Sequence, residues 1–236
     1  MPYAPMVFAF RIFPWGAGVT GCQVAGKATK QAGIFNRLAG QGAQRVNCFT
    51  PGALIDTPSG ACPVEDLRPG DTVHTRDNGP QPVRWIGSRT LEGPVLRVAN
   101  HLHPVVIRKN ALGAGLPSRD LRLSPGHRLL LLGDHPLLDA GEAEVFVFAG
   151  HLAGTRGIFR EAVTRVRYIH FLCDRHEVVR SHGIWTESFQ PNAPALEGMS
   201  QSAREELLTL FPELGAAASG EGFAAARPTR RAVMPG

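Results

Sequence analysis

The chain has 236 residues, enough for one domain of ordinary size plus tails, and its 43% apolar content supports a real core. Its 27 glycines and 19 prolines, with only 7% aromatic residues, favour many short strands and turns over a helical bundle. The formal charge of +5 lies in residues 1–47, where Arg11, Lys27, Lys30, Arg37 and Arg45 meet no acidic residue; the balanced remainder offers no clustered basic surface for nucleic acid.

Residues 1–47 read as a flexible basic N-terminal segment. They show no sustained periodicity, and Gly33, Gly40 and Gly42 weaken the one helical stretch, 26–45. Arg11 interrupts the apolar N-terminus and Pro14 follows closely, which argues against a signal peptide. Val19-Thr20-Gly21-Cys22 is shaped like a bacterial lipoprotein cleavage box, but four permissive positions recur often by chance. No stretch approaches the length of a transmembrane helix. The compartment stays open between cytoplasmic and secreted.

The pattern changes at Cys48. Ala53–Thr57 reads as a strand closed by a turn at Pro58-Ser59-Gly60, and Arg68-Pro69-Gly70 leads to a short strand at Asp71–Thr75. Asp77-Asn78-Gly79 is a strong hairpin signal, answered by Pro82–Ser88 with Trp85 and Ile86. Further strands are expected at Val95–Ala99, Pro104–Arg108, Arg128–Leu132, Glu144–Phe148, Val163–Leu172, His176–Arg180 and Gly183–Thr186. A helix follows at 202–211, with Ser202-Ala203-Arg204-Glu205 as a capping box, Leu207, Leu208 and Phe211 as its apolar face, and Pro212 as its stop. Residues 191–215 thus form a linker and helix. The Ala/Gly/Arg/Pro-rich residues 216–236 read as a disordered tail. The expected fold is all-β with one appended helix.

Four cysteines, Cys22, Cys48, Cys62 and Cys173, are widely spaced without a CxxC pair, so neither a zinc site nor a dense disulfide framework is indicated. Out of context, a lone Cys48 entering a strand is more often a small buried hydrophobe than a nucleophile. To attack the carbonyl of Asn47 ahead of it, the thiol would need a base. The carbonyl would need polarising, and the departing amine would need a proton. Ser124-Pro125-Gly126-His127 can place a hydroxyl and an imidazole across one tight turn, though Ser-Pro-Gly is also ordinary turn sequence. In 168–179, strand alternation puts His170, Leu172, Asp174 and His176 on one face. So many titratable groups there are either used or form an ion-pair ladder of Asp174, Arg175 and Glu177. His101 and His103 lack a third ligand at metal spacing and read as a surface loop.

Four stretches, in this order, resemble a Hint (hedgehog/intein) domain over about residues 48–190. They are Cys48-Phe-Thr-Pro-Gly-Ala-Leu-Ile-Asp-Thr57, Val64-Glu-Asp-Leu-Arg-Pro-Gly-Asp-Thr-Val73, Leu121-Arg-Leu-Ser-Pro-Gly-His-Arg-Leu-Leu130 and Asp174-Arg-His-Glu-Val-Val-Arg-Ser-His-Gly-Ile184. The resemblance is to the bacterial variety with a Cys-Phe-Thr-Pro-Gly start. It implies a horseshoe or disk of short paired strands, with Cys48 as nucleophile and Asn47-Cys48 as the scissile bond. It also implies His127 as the histidine of the Thr-x-x-His motif, with Ser124 standing where threonine is usual, and His170 as a proton carrier.

The implied activity is a cis-acting, single-turnover N–S acyl shift on the chain's own N-terminal segment. It needs no cofactor and no metal, and water or an external thiol or amine resolves the thioester. The ending departs from splicing inteins: Gly183-Ile184-Trp185-Thr186 leads to Glu187-Ser188-Phe189, with no asparagine before a nucleophile, and Asn192 between Pro191 and Ala193 does not replace it. Full splicing is therefore disfavoured. The alternatives are an inactive Hint-fold module for binding or assembly, and a cysteine hydrolase using Cys48.

Overall fold

Short strands separated by positive-φ glycines set the architecture of the computed structural model, which describes residues 47–133, 135–138, 143–192, 195–196, 199–212, 214 and 223–232. The basic segment and its 26–45 stretch lie outside the described residues. All described residues belong to the unit Gln31–Gly236.

The strands are β1 (Leu54–Thr57), β2 (Gly60–Pro63), β3 (Thr72–His74), β4 (Pro80–Pro82), β5 (Trp85–Glu92), β6 (Val105–Ile107), β7 (Leu121–Leu123), β8 (Arg128–Leu132), β9 (Glu144–Phe148), β10 (Ile158–Arg160), β11 (Arg165–Leu172), β12 (Val178–Ser181), β13 (Ile184–Glu187) and β14 (Thr229–Arg230). Seven of them form one sheet in the order β14-β9-β8-β13-β12-β1-β2; the others form a three-stranded sheet β10-β6-β7 and two pairs, β11-β5 and β3-β4. The helices are α1 (Gly93–Val98), α2 (Ala149–Leu152) and α3 (Gln201–Leu210). This is the expected all-β fold with a C-terminal helix. The Asp77-Asn78-Gly79 signal does close the β3-β4 hairpin, with Gly79 at φ 63° and His74 paired to Pro80, but the expected answering strand Pro82–Ser88 is not its partner: β4 ends at Pro82, and Trp85–Ser88 begins β5, which pairs with β11 instead. The main core gathers inward residues from several sheets, among them Ile55, Val73, Ile107, Leu123, Leu129 and Phe171.

Three further expectations are corrected. The strand expected at Val95–Ala99 is helix α1: Pro94 presets a helical φ and has no ladder donor, only Leu96 of the helix is buried, and Val98 is 87% exposed. Helix α3 is capped by Ser200, whose Oγ accepts from the Ala203 amide at 3.3 Å, rather than by Ser202. The tail is ordered over 223–232: β14 lies parallel to β9 with Thr229 opposite Phe146, covering a sheet edge. Arg227 holds Asp77 at 2.7 Å and Glu144 at 2.7 Å. The proline and arginines that read as disorder here supply a short edge strand and its ion pairs.

Candidate active site

The first residues after the seam are woven between two sheets. Phe49 bridges to Leu123 on one side and to Ile169 on the other, its amide donating to the Ile169 carbonyl at 2.8 Å and its carbonyl accepting from the Ile169 amide at 2.9 Å. Beside it the Ser124 amide donates to the Cys48 carbonyl at 2.9 Å. Cys48 is therefore fixed by backbone bonds to the end of β7 and the middle of β11, and both it and Asn47 are buried.

The structure brings every sequence-predicted site residue to this junction. The Cys48 amide donates to Ser124 Oγ at 2.9 Å, and Cys48 Sγ lies 3.1 Å from His170 Nδ1. The Asn47 carboxamide Nδ2 donates to the Ser188 carbonyl at 2.7 Å. His127 is fully buried with its ring 4.5 Å from that of Phe49, and its Nε2 contacts Thr186 Oγ1. Thr186 spends its hydroxyl proton on the Arg128 carbonyl at 2.9 Å, so the His127 Nε2–H donates to the threonine. His127 Nδ1 then carries a lone pair, buried and without a partner.

Burial sets the protonation states. It pushes the Cys48 thiol well above its ordinary range, a rise that the charge of Arg89 opposes and that of Glu187 reinforces. It pushes His170 down to about 4. With both groups neutral, the thiol S–H donates to His170 Nδ1. Burial also takes His127 down to about 4; Glu187 works against that fall, Arg128 and His176 deepen it, and the Cys48 backbone favours the charged ring.

His170 stands where it does because of the β5-β11 register. It pairs with Gly87, where an added Cβ would meet His170 Nε2 at 2.6 Å and Trp85 Cη2 at 2.2 Å. Trp85 and Phe189 stack on the His170 ring at centroid distances of 5.3 and 4.9 Å. Next along the same face, Arg89 pairs with Tyr168, whose hydroxyl donates to the Leu102 carbonyl at 2.8 Å.

His176 does not share the His170 face as expected. Strand β11 ends at Leu172, where its partner begins at Trp85, and the chain bends through Asp174. Asp174 pairs with Arg84 at 2.7 Å, so the Asp174-Arg175-Glu177 ladder is replaced by that bond and a distant Arg175–Glu177 contact of 3.9 Å. His176 donates instead to the buried Glu187 at 2.9 Å and accepts the Ala226 amide at its Nδ1. Glu187 is also paired with buried Arg128, whose Nε donates at 2.8 Å. Burial alone would push the Glu187 carboxyl up, but Arg128 and His176 outweigh it and hold the carboxyl below its ordinary value. His103 Nδ1 accepts the Val163 amide at 3.1 Å. Among the described residues, no His, Cys, Asp and Glu side chains group as a metal would need, and no helix is long and apolar enough to cross a membrane.

Sequence reasoning missed Gly87, Arg89, Thr186 and the positional role of Ser188. The last two lie in the terminal stretch that the family resemblance had marked, so their place was discoverable. A glycine and an arginine within an alternating strand carry no such signal.

The site is that of an all-β domain that buries a cysteine at a chain seam, its amide on the Ser124 hydroxyl and its sulfur against the His170 imidazole, with a second buried histidine, His127, packed on the neighbouring Phe49. The Hint domain family model matches residues 47–193, more than half of the chain, and the protein belongs to the Hint domain family. Among solved structures it is similar to a bacterial intein-like domain from Clostridium thermocellum, at 17% identity and a TM-score of 0.40 over 61% of this chain and 98% of that one. It is also similar to the gp41-1 intein, at 11% identity and a TM-score of 0.35 over 59% and 97%. A third is the Ssp DnaB mini-intein variant M86, at 10% identity and a TM-score of 0.36 over 61% and 95%. No curated protein matches the sequence.

Proposed function

We propose that this domain performs an N–S acyl shift at Asn47-Cys48 and releases the segment ahead of Cys48 without splicing. The observation that carries the reading is that one residue is gripped at both reacting atoms: Cys48 Sγ by His170 at 3.1 Å and Cys48 N by Ser124 Oγ at 2.9 Å. His170 Nδ1 takes the thiol proton as Sγ attacks the Asn47 carbonyl carbon. The carbon–nitrogen bond then breaks and its electron pair stays on the Cys48 nitrogen, which needs one proton. His127 is the donor in this reading. Its ring is neutral at rest, so the proton that His170 took from sulfur must be passed on to His127 Nδ1 before the nitrogen receives it, a charged form of His127 that the Cys48 backbone and Glu187 favour. Net, one proton moves from sulfur to nitrogen and an amide becomes a thioester.

Splicing is disfavoured because Glu187-Ser188-Phe189, at the end of β13, offers no asparagine and no following nucleophile. The reaction is single-turnover. Full-length protein, treated with hydroxylamine or thiol, is expected to yield a fragment beginning at Cys48. Protein that stays as fully intact as a Cys48→Ala control under the same treatment would overturn the reading and leave the retained fold as a binding or assembly module.

A further inference from the structure

The carboxamide of Asn47 belongs to the segment that leaves, yet the domain holds it as firmly as its own residues. Asn47 is only 4% exposed, and its Nδ2 donates to the Ser188 carbonyl at 2.7 Å. Ser188 is itself locked: its amide donates to the Glu177 carbonyl at 2.9 Å and its hydroxyl accepts the Glu177 amide at 2.9 Å. Ordering and burying a polar side chain costs conformational entropy and hydration, so a residue that merely precedes a cut would be cheaper left in solvent. Asparagine also has a reaction open to it here. Its side-chain nitrogen can close a five-membered imide on its own main-chain carbonyl carbon. The end of the domain has no carboxamide at Ser188, and Asn47 brings one to that same residue.

We propose that Asn47 is the nucleophile that releases the thioester, an inference that rests on the acyl-shift reading. Nδ2 attacks the Asn47 carbonyl carbon. The carbon–Nδ2 bond forms, and the carbon–Sγ bond breaks with its electron pair on sulfur. One Nδ2 proton passes to that sulfur, with His170 Nδ1 the group in contact with it. The products are an N-terminal fragment ending in an aminosuccinimide and a chain beginning at Cys48 with free thiol and amine. No water, cofactor or external nucleophile is consumed. The Ser188 carbonyl fixes the carboxamide and, by accepting one N–H, leaves more electron density on nitrogen. The acyl shift is what enables the step, because a thiolate is a far better leaving group than the amine of a peptide bond. An oriented internal nucleophile also carries an effective concentration that water cannot match.

The test uses the full chain, with and without hydroxylamine, and reads the mass and terminus of the fragment ending at position 47. Without hydroxylamine, the expected fragment is lighter by one water than the free acid. Once its ring opens, part of it carries a C-terminal α-amide, which direct hydrolysis cannot make. In Asn47→Ala and Asn47→Gln, release without hydroxylamine should fall roughly 10²-fold relative to release with it, because neither side chain closes a five-membered ring. A wild-type fragment bearing only a free α-carboxylate, with the side-chain amide intact, overturns the proposal while leaving the thioester reading standing. Absence of any fragment in hydroxylamine overturns both.

Discussion

The thiol of Cys48 donates to Nδ1 of His170 across 3.1 Å, and both side chains are buried in the junction between β7 and β11. Burial raises the thiol's pKa and lowers the imidazole's, so the pair rests neutral and transfers its proton only as the carbonyl is attacked. Replacing His170 with Asn, which keeps a polar group but no base, should slow hydroxylamine-dependent cleavage by roughly 10²–10⁴. The band beginning at Cys48 on a timed gel measures it; a wild-type rate would remove His170 from the base role.

Gly87→Ala adds no functional group and takes none away. Its Cβ would sit 2.2 Å from Trp85 Cη2 and 2.6 Å from His170 Nε2, so the imidazole must move. Overpacking of this kind costs about 1–3 kcal/mol. A urea midpoint lowered accordingly, with slower cleavage, is expected. Native stability and native rate together would show that the close approach does not hold His170 in place.

Ser124 supplies the acceptor for the Cys48 amide, and the turn it opens carries His127 three residues on, with the His127 amide donating to the Ser124 carbonyl at 3.0 Å. Ser124→Ala leaves that buried amide without its side-chain partner, at a cost of about 1–3 kcal/mol, and should slow cleavage on the order of tenfold. Ser124→Thr restores the hydroxyl and should recover most of the rate. Equal rates for the Ala and Thr variants would mean that the hydroxyl does not position the bond.

Acid should destabilise the fold. His127 and His170 are held down at about 4, against 6.5 when unperturbed, so each must be charged in the unfolded chain before it is charged in the folded one. Their stabilising contribution, about 3 kcal/mol each, is complete above pH 6.5 and is lost as pH falls toward about 4. Urea midpoints measured down this window should fall steadily; a flat profile would contradict the buried neutral rings.

What the sequence determined by itself is local. The seam at Cys48, the hairpin at Asn78-Gly79, the order of four motifs and the three-residue spacing of Ser124 and His127 all depend on neighbours in the chain, where turn chemistry and strand alternation act. The resemblance carried by the four motifs located the Hint domain and pointed to Cys48, Ser124, His127 and His170, while the local signals placed the strands. They overran at Val95–Ala99 and at 173–176, where the ladder had already ended, and at 223–232, where a sheet edge gives a polar segment something to pair with.

Only the tertiary structure decided which of these groups meet. Cys48 and His170 lie 122 residues apart, and His127 and Thr186 lie 59 apart. The first contact depends on the register of β11 against β5, where a slip of one residue would turn His170 to the opposite face, and the second on β13 against β8, where Thr186 pairs with Leu129. The same holds for Gly87, for Arg89 beside Tyr168, and for Asn47 against Ser188. No periodicity within a segment encodes the registry between segments; packing does, and here it converts a buried cysteine into one gripped at sulfur and at nitrogen.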